Sequence, residues 1–109
     1  MNLENSIGMT IDDVDFFLVA HDELIYMFDD ITYQIVDKID LDLAESDTRE
    51  DIEIINMKAD KDGNYIGVSC GKNMINGDEV IIQVIILKRN KTTNRFKVYL
   101  RIDMVELEL

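Results

Sequence analysis

The sequence contains no proline and no tryptophan, and it has a single cysteine and a single histidine. One cysteine cannot form an internal disulfide, so the cytoplasm or another reducing intracellular compartment is the predicted location. A zinc site would have to include carboxylate ligands, because Cys70 is the only cysteine and His21 is the only histidine. Without proline, a β-sheet in this chain must protect its edge strands by other means.

The chain also lacks a long apolar segment. Its first ten residues carry no basic stretch and no long apolar run, so they do not resemble a secretory signal. The longest apolar run, residues 80–87, is interrupted by Gln83 and is far shorter than the ~20 residues that cross a bilayer. We therefore predict no membrane insertion.

Basic side chains are scarce. Lysine and arginine number 11 against 23 aspartates and glutamates, which gives a formal net charge of −12. Such a surface repels phosphate backbones, so nucleic acid is excluded as a predicted partner. A basic protein surface is a candidate partner, although acidity also serves to keep a β-rich chain soluble.

Hydrophobic residues make up 47% of the chain, and a pattern of three strand-like segments occurs twice. Repetition of this kind is typical of modular β-architectures, in which neighbouring units cover each other's faces. In order along the chain, the matched segments are residues 15–20 and 64–69, residues 24–28 and 80–87, and residues 33–41 and 96–104.

This pattern predicts an all-β fold of about seven antiparallel strands. We expect residues 1–10 to be a tail or a strand that pairs with a neighbour. Residues 11–109 would form a single β module, with units at 11–41 and 52–109 joined by an acidic loop at 42–51.

Three polar segments separate the strands of the second unit. Residues 59–64 predict a hairpin turn in which Gly63 adopts a positive φ. Residues 71–79 predict a longer surface loop, and residues 88–94 predict a polar turn.

The turn at residues 59–64 also offers oxygen ligands with the start of an EF-hand spacing, at Asp60, Asp62 and Asn64. The sixth position is Tyr65 instead of glycine, and the twelfth is Gly71 instead of glutamate. A β-turn explains every residue in the run, so we predict no metal and no other cofactor.

Nucleophilic and acid–base chemistry have little support. His21 and Cys70 occupy matching positions in the two units, which allows either a thiolate–imidazole pair or a strand-end histidine and a small apolar cysteine; we favour the second. Adjacent carboxylates are expected by chance among 23 acids, whereas glycosidases need carboxyls that face each other across a cleft. We predict no catalytic residue, and a carboxylate-based hydrolase remains the alternative from another functional class.

Residues 58–69, KADKDGNYIGVS, resemble the segment between the first two strands of a WD-repeat propeller blade. Residues 21–29, HDELIYMFD, resemble the next portion, with Phe28-Asp29 at the place of the family's Trp-Asp. The resemblance implies three strands of one blade at residues 15–41, four strands of the next at 52–104, and a scaffold role. A ring needs about four or more blades, so completion by other chains or by the remainder of a longer polypeptide is implied. A small β-sandwich or barrel is the alternative fold.

The predicted function is therefore a non-enzymatic protein–protein interaction or structural scaffold module within a larger propeller or assembly of several chains. The alternative within the same class is a free-standing acidic β-sandwich that binds a basic protein or a small ligand. We expect contacts on exposed connectors and at the chain end, where residues 105–109 still alternate. The predicted contact residues are Glu45, Asp47, Glu50, Asp51, Lys72, Asn73, Met74, Ile75, Val105, Leu107 and Leu109.

Overall fold

The computed structural model describes residues 6–43, 52–73, 77 and 79–104, where eight antiparallel strands form two four-stranded sheets. This confirms the predicted all-β class. No helix that could cross a bilayer occurs in the described part of the chain. Sheet 1 contains β1 (Ser6–Ile11), β2 (Val14–His21), β3 (Leu24–Asp29) and β4 (Ile35–Asp40); sheet 2 contains β5 (Glu53–Ala59), β6 (Tyr65–Asn73), β7 (Glu79–Arg89) and β8 (Phe96–Asp103).

Each sheet is a simple meander in which strands that follow each other in sequence are neighbours in space. Strand β1 is additional to the expected seven, and it lies partly within the segment predicted as a tail. It pairs with β2 of its own sheet, from Ser6 opposite Val19 to Ile11 opposite Val14. The sequence analysis missed it because only three apolar side chains alternate there, among polar neighbours.

The core lies between the two sheets. Alternate residues of each strand point into it, and β1 lies against β5 while β4 lies against β8. Burying an aliphatic side chain of this kind contributes about 1.5–3 kcal/mol. Fully buried members include Leu18, Ile25, Ile66, Val68, Ile85 and Leu87.

The β3–β4 turn and the β7–β8 turn have the same construction. The side-chain oxygen of Asp29 accepts two backbone N–H groups at 2.8 and 3.0 Å, and that of Asn90 does so at 2.8 and 3.2 Å. Tyr33 and Asn94 then adopt left-handed conformations with φ of 59° and 61°. Tyr33 therefore corresponds to Asn94, so the predicted match of residues 33–41 with 96–104 is displaced by two residues at the turn.

The β5–β6 turn is a hairpin turn as predicted, and Gly63 has a φ of 72°. A β-carbon there would lie 2.7 Å from the Thr10 carbonyl oxygen, so glycine lets this turn of sheet 2 pack against β1.

The predicted loop at residues 71–79 is wrong in extent. Strand β6 continues to Asn73 opposite Glu79 of β7. Gly71 lies at a β-bulge, where a β-carbon would collide with the Val80 carbonyl oxygen. Glycine thus serves a bulge here, whereas the sequence pattern was interpreted as the start of a loop. Strand β7 likewise continues to Arg89, beyond the predicted start of the next turn.

Polar side chains join the two sheets at the β4 and β8 edges. The carboxylate of Asp37, 6% exposed, accepts the backbone N–H of Phe96 at 3.0 Å. The guanidinium of Arg101 donates to the Leu41 carbonyl oxygen at 2.6 Å. Both bonds run from one sheet to the other, so they fix how the edge strands lie against each other.

Candidate functional site

The outer face of sheet 1, which points away from sheet 2, carries aromatic side chains. One row across the sheet consists of Gly8, Phe17, Phe28 and Ile35, and the next consists of Ser6, Val19, Tyr26 and Lys38. Because residues alternate along a strand, these rows lie opposite the core-facing residues. We call Phe17, Tyr26, Phe28, Tyr33 and Ile35 the aromatic face.

The rings of the aromatic face are arranged in contact. Phe17 and Phe28 stack with their centroids 4.9 Å apart and their planes 8° apart. Tyr33 meets the Phe17 ring at 6.2 Å, edge-on, and remains 70% exposed, while Ile35 is 56% exposed. Packed rings at a water-exposed surface form a rigid apolar platform, which is a common feature of protein contacts.

The outer face of sheet 2 combines aliphatic side chains with lysines. Ile86 and Leu100 lie side by side in one row, which begins at Lys58 on β5. A neighbouring row contains Tyr65, Lys88 and Lys97, and another contains Asn56, Ser69, Val84 and Ile102. We call the side chains of Lys58, Ile86, Lys88, Lys97, Tyr99 and Leu100 the lysine face.

Strand β7 carries apolar side chains on both of its sides. Its inward residues Ile85 and Leu87 are fully buried, but its outward residues Val84 and Ile86 are only half-buried. Leu100 beside Ile86 is 47% exposed. The described residues therefore leave the outer side of this apolar strand partly open to water.

The aromatic ring on the lysine face is held by its neighbours. The Lys88 ammonium lies 5.0 Å from the centroid of the Tyr99 ring, and the Tyr65 ring lies 6.2 Å from it. A cation placed over an aromatic ring contributes about 0.5–1 kcal/mol at exposed sites. These contacts position Tyr99, which is 61% exposed.

Charge is divided between the two sheets. Residues 6–43 contain ten acidic residues and one basic residue, Lys38. Residues 52–73 and 79–104 contain five acidic residues and nine basic ones. With histidine neutral, residues 6–43 carry −9, and residues 52–73 and 79–104 together carry +4. Although the chain as a whole is acidic, the described residues of sheet 2 carry a net positive charge.

A groove of about 570 Å³ lies at the hairpin end of the molecule, where the β1–β2 turn meets turns of sheet 2. Arg89, 8% exposed, is one of the residues that line it. Its guanidinium donates to the Gly63 carbonyl oxygen at 3.0 Å and to the side-chain oxygens of Asn64 and Asn94, each at 2.8 Å. These bonds tie two turns of sheet 2 together, so Arg89 has a structural role here.

His21 and Cys70 do not form a pair. Cys70 points into the core and is fully buried, whereas His21 lies exposed at the end of β2, 3.6 Å from the Asp22 carboxylate. Their predicted equivalence is wrong because the match aligned core-facing Ala20 with outward-facing Ser69, a shift of one residue that exchanges the faces of a strand. Burial raises the pKa of the Cys70 thiol to about 11, despite the opposing charge of Arg101.

The carboxylate of Asp60 is used by the turn that contains it. Its Oδ1 accepts the backbone N–H groups of Asn64 at 2.7 Å and Tyr65 at 3.0 Å. Within the described ranges, no group of three or more histidine, cysteine, aspartate or glutamate residues is placed to hold a metal ion.

Most of the predicted contact residues lie outside the described ranges. Lys72 and Asn73 are the exceptions, and both belong to strand β6 rather than to a loop. The aromatic face was not among the predicted contacts, although the outward positions of β2 and β3 could have indicated it. The predicted contacts outside the described residues are Glu45, Asp47, Glu50, Asp51, Met74, Ile75, Val105, Leu107 and Leu109.

No family model, curated protein or solved structure matches this chain.

Proposed function

We propose that the chain is a non-enzymatic protein–protein interaction or structural scaffold module, built from two propeller-like, WD-repeat-like β units, and that it works within a larger assembly of chains. The observation that carries the proposal is the exposure of apolar side chains on both outer faces, with Tyr33 70%, Tyr99 61% and Leu100 47% exposed. A β-sandwich that stands alone normally presents polar residues outward.

The arrangement of these side chains strengthens the proposal. Isolated exposed apolar residues are normal on soluble proteins, but contiguous ones mark contact surfaces. The aromatic face is contiguous, because Phe17, Phe28 and Ile35 are neighbours in one row and Tyr33 touches Phe17. Four-stranded meanders that are apolar on both sides also agree with the WD-repeat resemblance, since a blade is covered on both sides by other blades.

A free-standing acidic module that binds a basic protein is the second candidate, and the charge of −9 on residues 6–43 favours it. Carboxylate-based hydrolysis has no comparable support. The carboxylates of Asp29, Asp37 and Asp60 accept backbone N–H groups, so they stabilise turns and the contact between sheets.

Site-specific photo-crosslinking tests the proposal. A photoreactive phenylalanine derivative would replace Tyr33 on the aromatic face, Tyr99 on the lysine face, or Thr92 on the β7–β8 turn, in cells that naturally produce the protein. We expect crosslinks to protein at Tyr33 or Tyr99 well above those at the Thr92 control. Equal and minimal crosslinking at all three positions would contradict the proposal.

A further inference from the structure

Resting on the proposed function, we infer that the partner on these faces is a second copy of the chain. The aromatic face of one copy packs against the lysine face of the next, in a head-to-tail contact. The two faces lie on opposite sides of each molecule, because each points away from the core between the sheets. Every copy therefore offers both halves of the contact.

Charge selects this pairing over the others. The outward rows of sheet 1 carry Asp15, Asp40 and Lys38 and are bordered by acidic turns, so two aromatic faces placed together would bring two acidic sheets into contact. Two lysine faces would bring Lys58, Lys88 and Lys97 of both copies together. The head-to-tail contact places the acidic sheet against these three lysines instead. Like charges across an interface cost free energy, whereas complementary potentials fix the register and orientation of the partners.

The apolar groups of the two faces are also complementary. The stacked rings of Phe17 and Phe28 present a flat platform. Opposite them, Ile86 and Leu100 present aliphatic side chains in a single row. Lys88 and Lys97 lie in the adjoining row, where they can reach acidic residues at the margin of the partner's sheet 1, such as Asp15 and Asp40.

The size of a sheet face indicates a weak individual contact. Strands about 4.8 Å apart with a rise of about 3.3 Å per residue give a four-stranded face of roughly 400 Å². That is small for a stable pair, since standard interfaces bury about 800 Å² on each partner. We therefore expect assembly to depend on concentration, and each copy in a closed ring to gain from two such contacts.

A head-to-tail contact forms a ring where its rotation closes and a filament where it does not. Rings of propeller type contain about four to eight four-stranded sheets. Each chain contributes two sheets, so a closed assembly would contain roughly two to four copies.

Two matched variants separate this arrangement from the alternatives. Ile35→Arg blocks only the aromatic face, and Leu100→Asp blocks only the lysine face; both positions are about half exposed, so the fold should persist. Thr92→Arg and Thr92→Asp introduce the same charges on a turn and serve as controls. Thermal denaturation of each variant checks that it is folded.

Sedimentation velocity of the purified full chain, over a range of micromolar to submillimolar concentrations, provides the measurement. We expect the wild type and both controls to assemble, and added salt to weaken the assembly. Each face variant alone should be monomeric, with its dissociation constant raised at least about tenfold. A mixture of the two variants should form a one-to-one dimer that grows no further, because one intact contact remains.

Other outcomes would overturn the inference. If the wild type stays monomeric while Tyr33 crosslinks to a different protein in cells, the interaction module stands but self-assembly is wrong. If one face variant alone still dimerises, the contact joins identical faces and the head-to-tail arrangement is wrong. Absence of both assembly and crosslinks would contradict the inference and the proposed function together.

Discussion

Replacing Asp37 with alanine tests the contact between the two sheets. The side chain belongs to β4 but points into the core, and its Oδ2 accepts the backbone N–H of Phe96 on β8 at 3.0 Å. Its Oδ1 accepts the N–H of Lys38 at 2.9 Å and lies 3.8 Å from the Arg95 guanidinium. One carboxylate therefore holds the edges of both sheets.

The cost of the substitution comes mainly from what it leaves behind. In Asp37→Ala the Phe96 N–H stays buried without its acceptor, which costs about 1–3 kcal/mol. The bond to Lys38 N–H is also lost, and water can satisfy that exposed site in part. We expect a decrease of about 2–4 kcal/mol in the free energy of unfolding, a large share of the roughly 5–15 kcal/mol typical of a small domain.

Urea denaturation followed by circular dichroism measures this change. With a denaturant slope of about 1–3 kcal/mol/M, the midpoint should fall by roughly 1–3 M. Asp30→Ala, which removes the same charge at an exposed turn position, should shift the free energy by less than about 0.5 kcal/mol. Asp37→Asn should lie between them, because an amide oxygen can still accept from Phe96. Equal stabilities of Asp37→Ala and Asp30→Ala would refute the reasoning.

Backbone strain, thiol burial and turn capping give three further tests. Gly63→Ala should destabilise the fold by over ~1 kcal/mol more than Gly77→Ala, because both positions have positive φ but only the first would collide with β1; thermal denaturation compares them. Cys70 should resist thiol reagents until the chain unfolds, because its side chain is buried. The free energy of unfolding should fall as pH rises from the ordinary thiol pKa of 9.0 towards about 11, by at most about 1.4 kcal/mol per pH unit. Denaturation of Cys70→Ala at a series of pH values should lack that slope. Backbone N–H donors in its turn lower the pKa of Asp29 below 3.8, so its contribution is lost as pH falls through that lowered value. NMR titration should locate the lowered pKa, and Asp29→Asn, which imitates Asn90, should lessen the acid sensitivity.

Local patterns in the sequence were sufficient for the fold class and for most strands. The alternation around Met57 and the apolar run of β7 each indicate a strand without reference to the rest of the chain. The turn at Gly63 was predictable for the same reason, since its residue types match the backbone conformation that the turn requires.

Features set by tertiary contacts were not predictable. Strand β1 has a short and weak alternation, and it is defined by its pairing with β2. The buried position of Asp37 depends on Phe96, which lies far away in sequence. Cys70 and His21 were matched incorrectly because Val19 is apolar and buried although it faces outward, which obscured the alternation in β2.

The distribution of charge shows most clearly why composition alone could not describe the candidate site. A net charge of −12 predicts a basic partner, and residues 6–43 alone carry −9. The same chain supplies a basic surface of its own, because Lys58, Lys88 and Lys97 lie on the outer face of sheet 2. Only the order of strands shows that these lysines belong to a different sheet from the acidic segment at residues 6–43. Because each copy carries both surfaces, the complementary partner that the composition implies is available in a second copy.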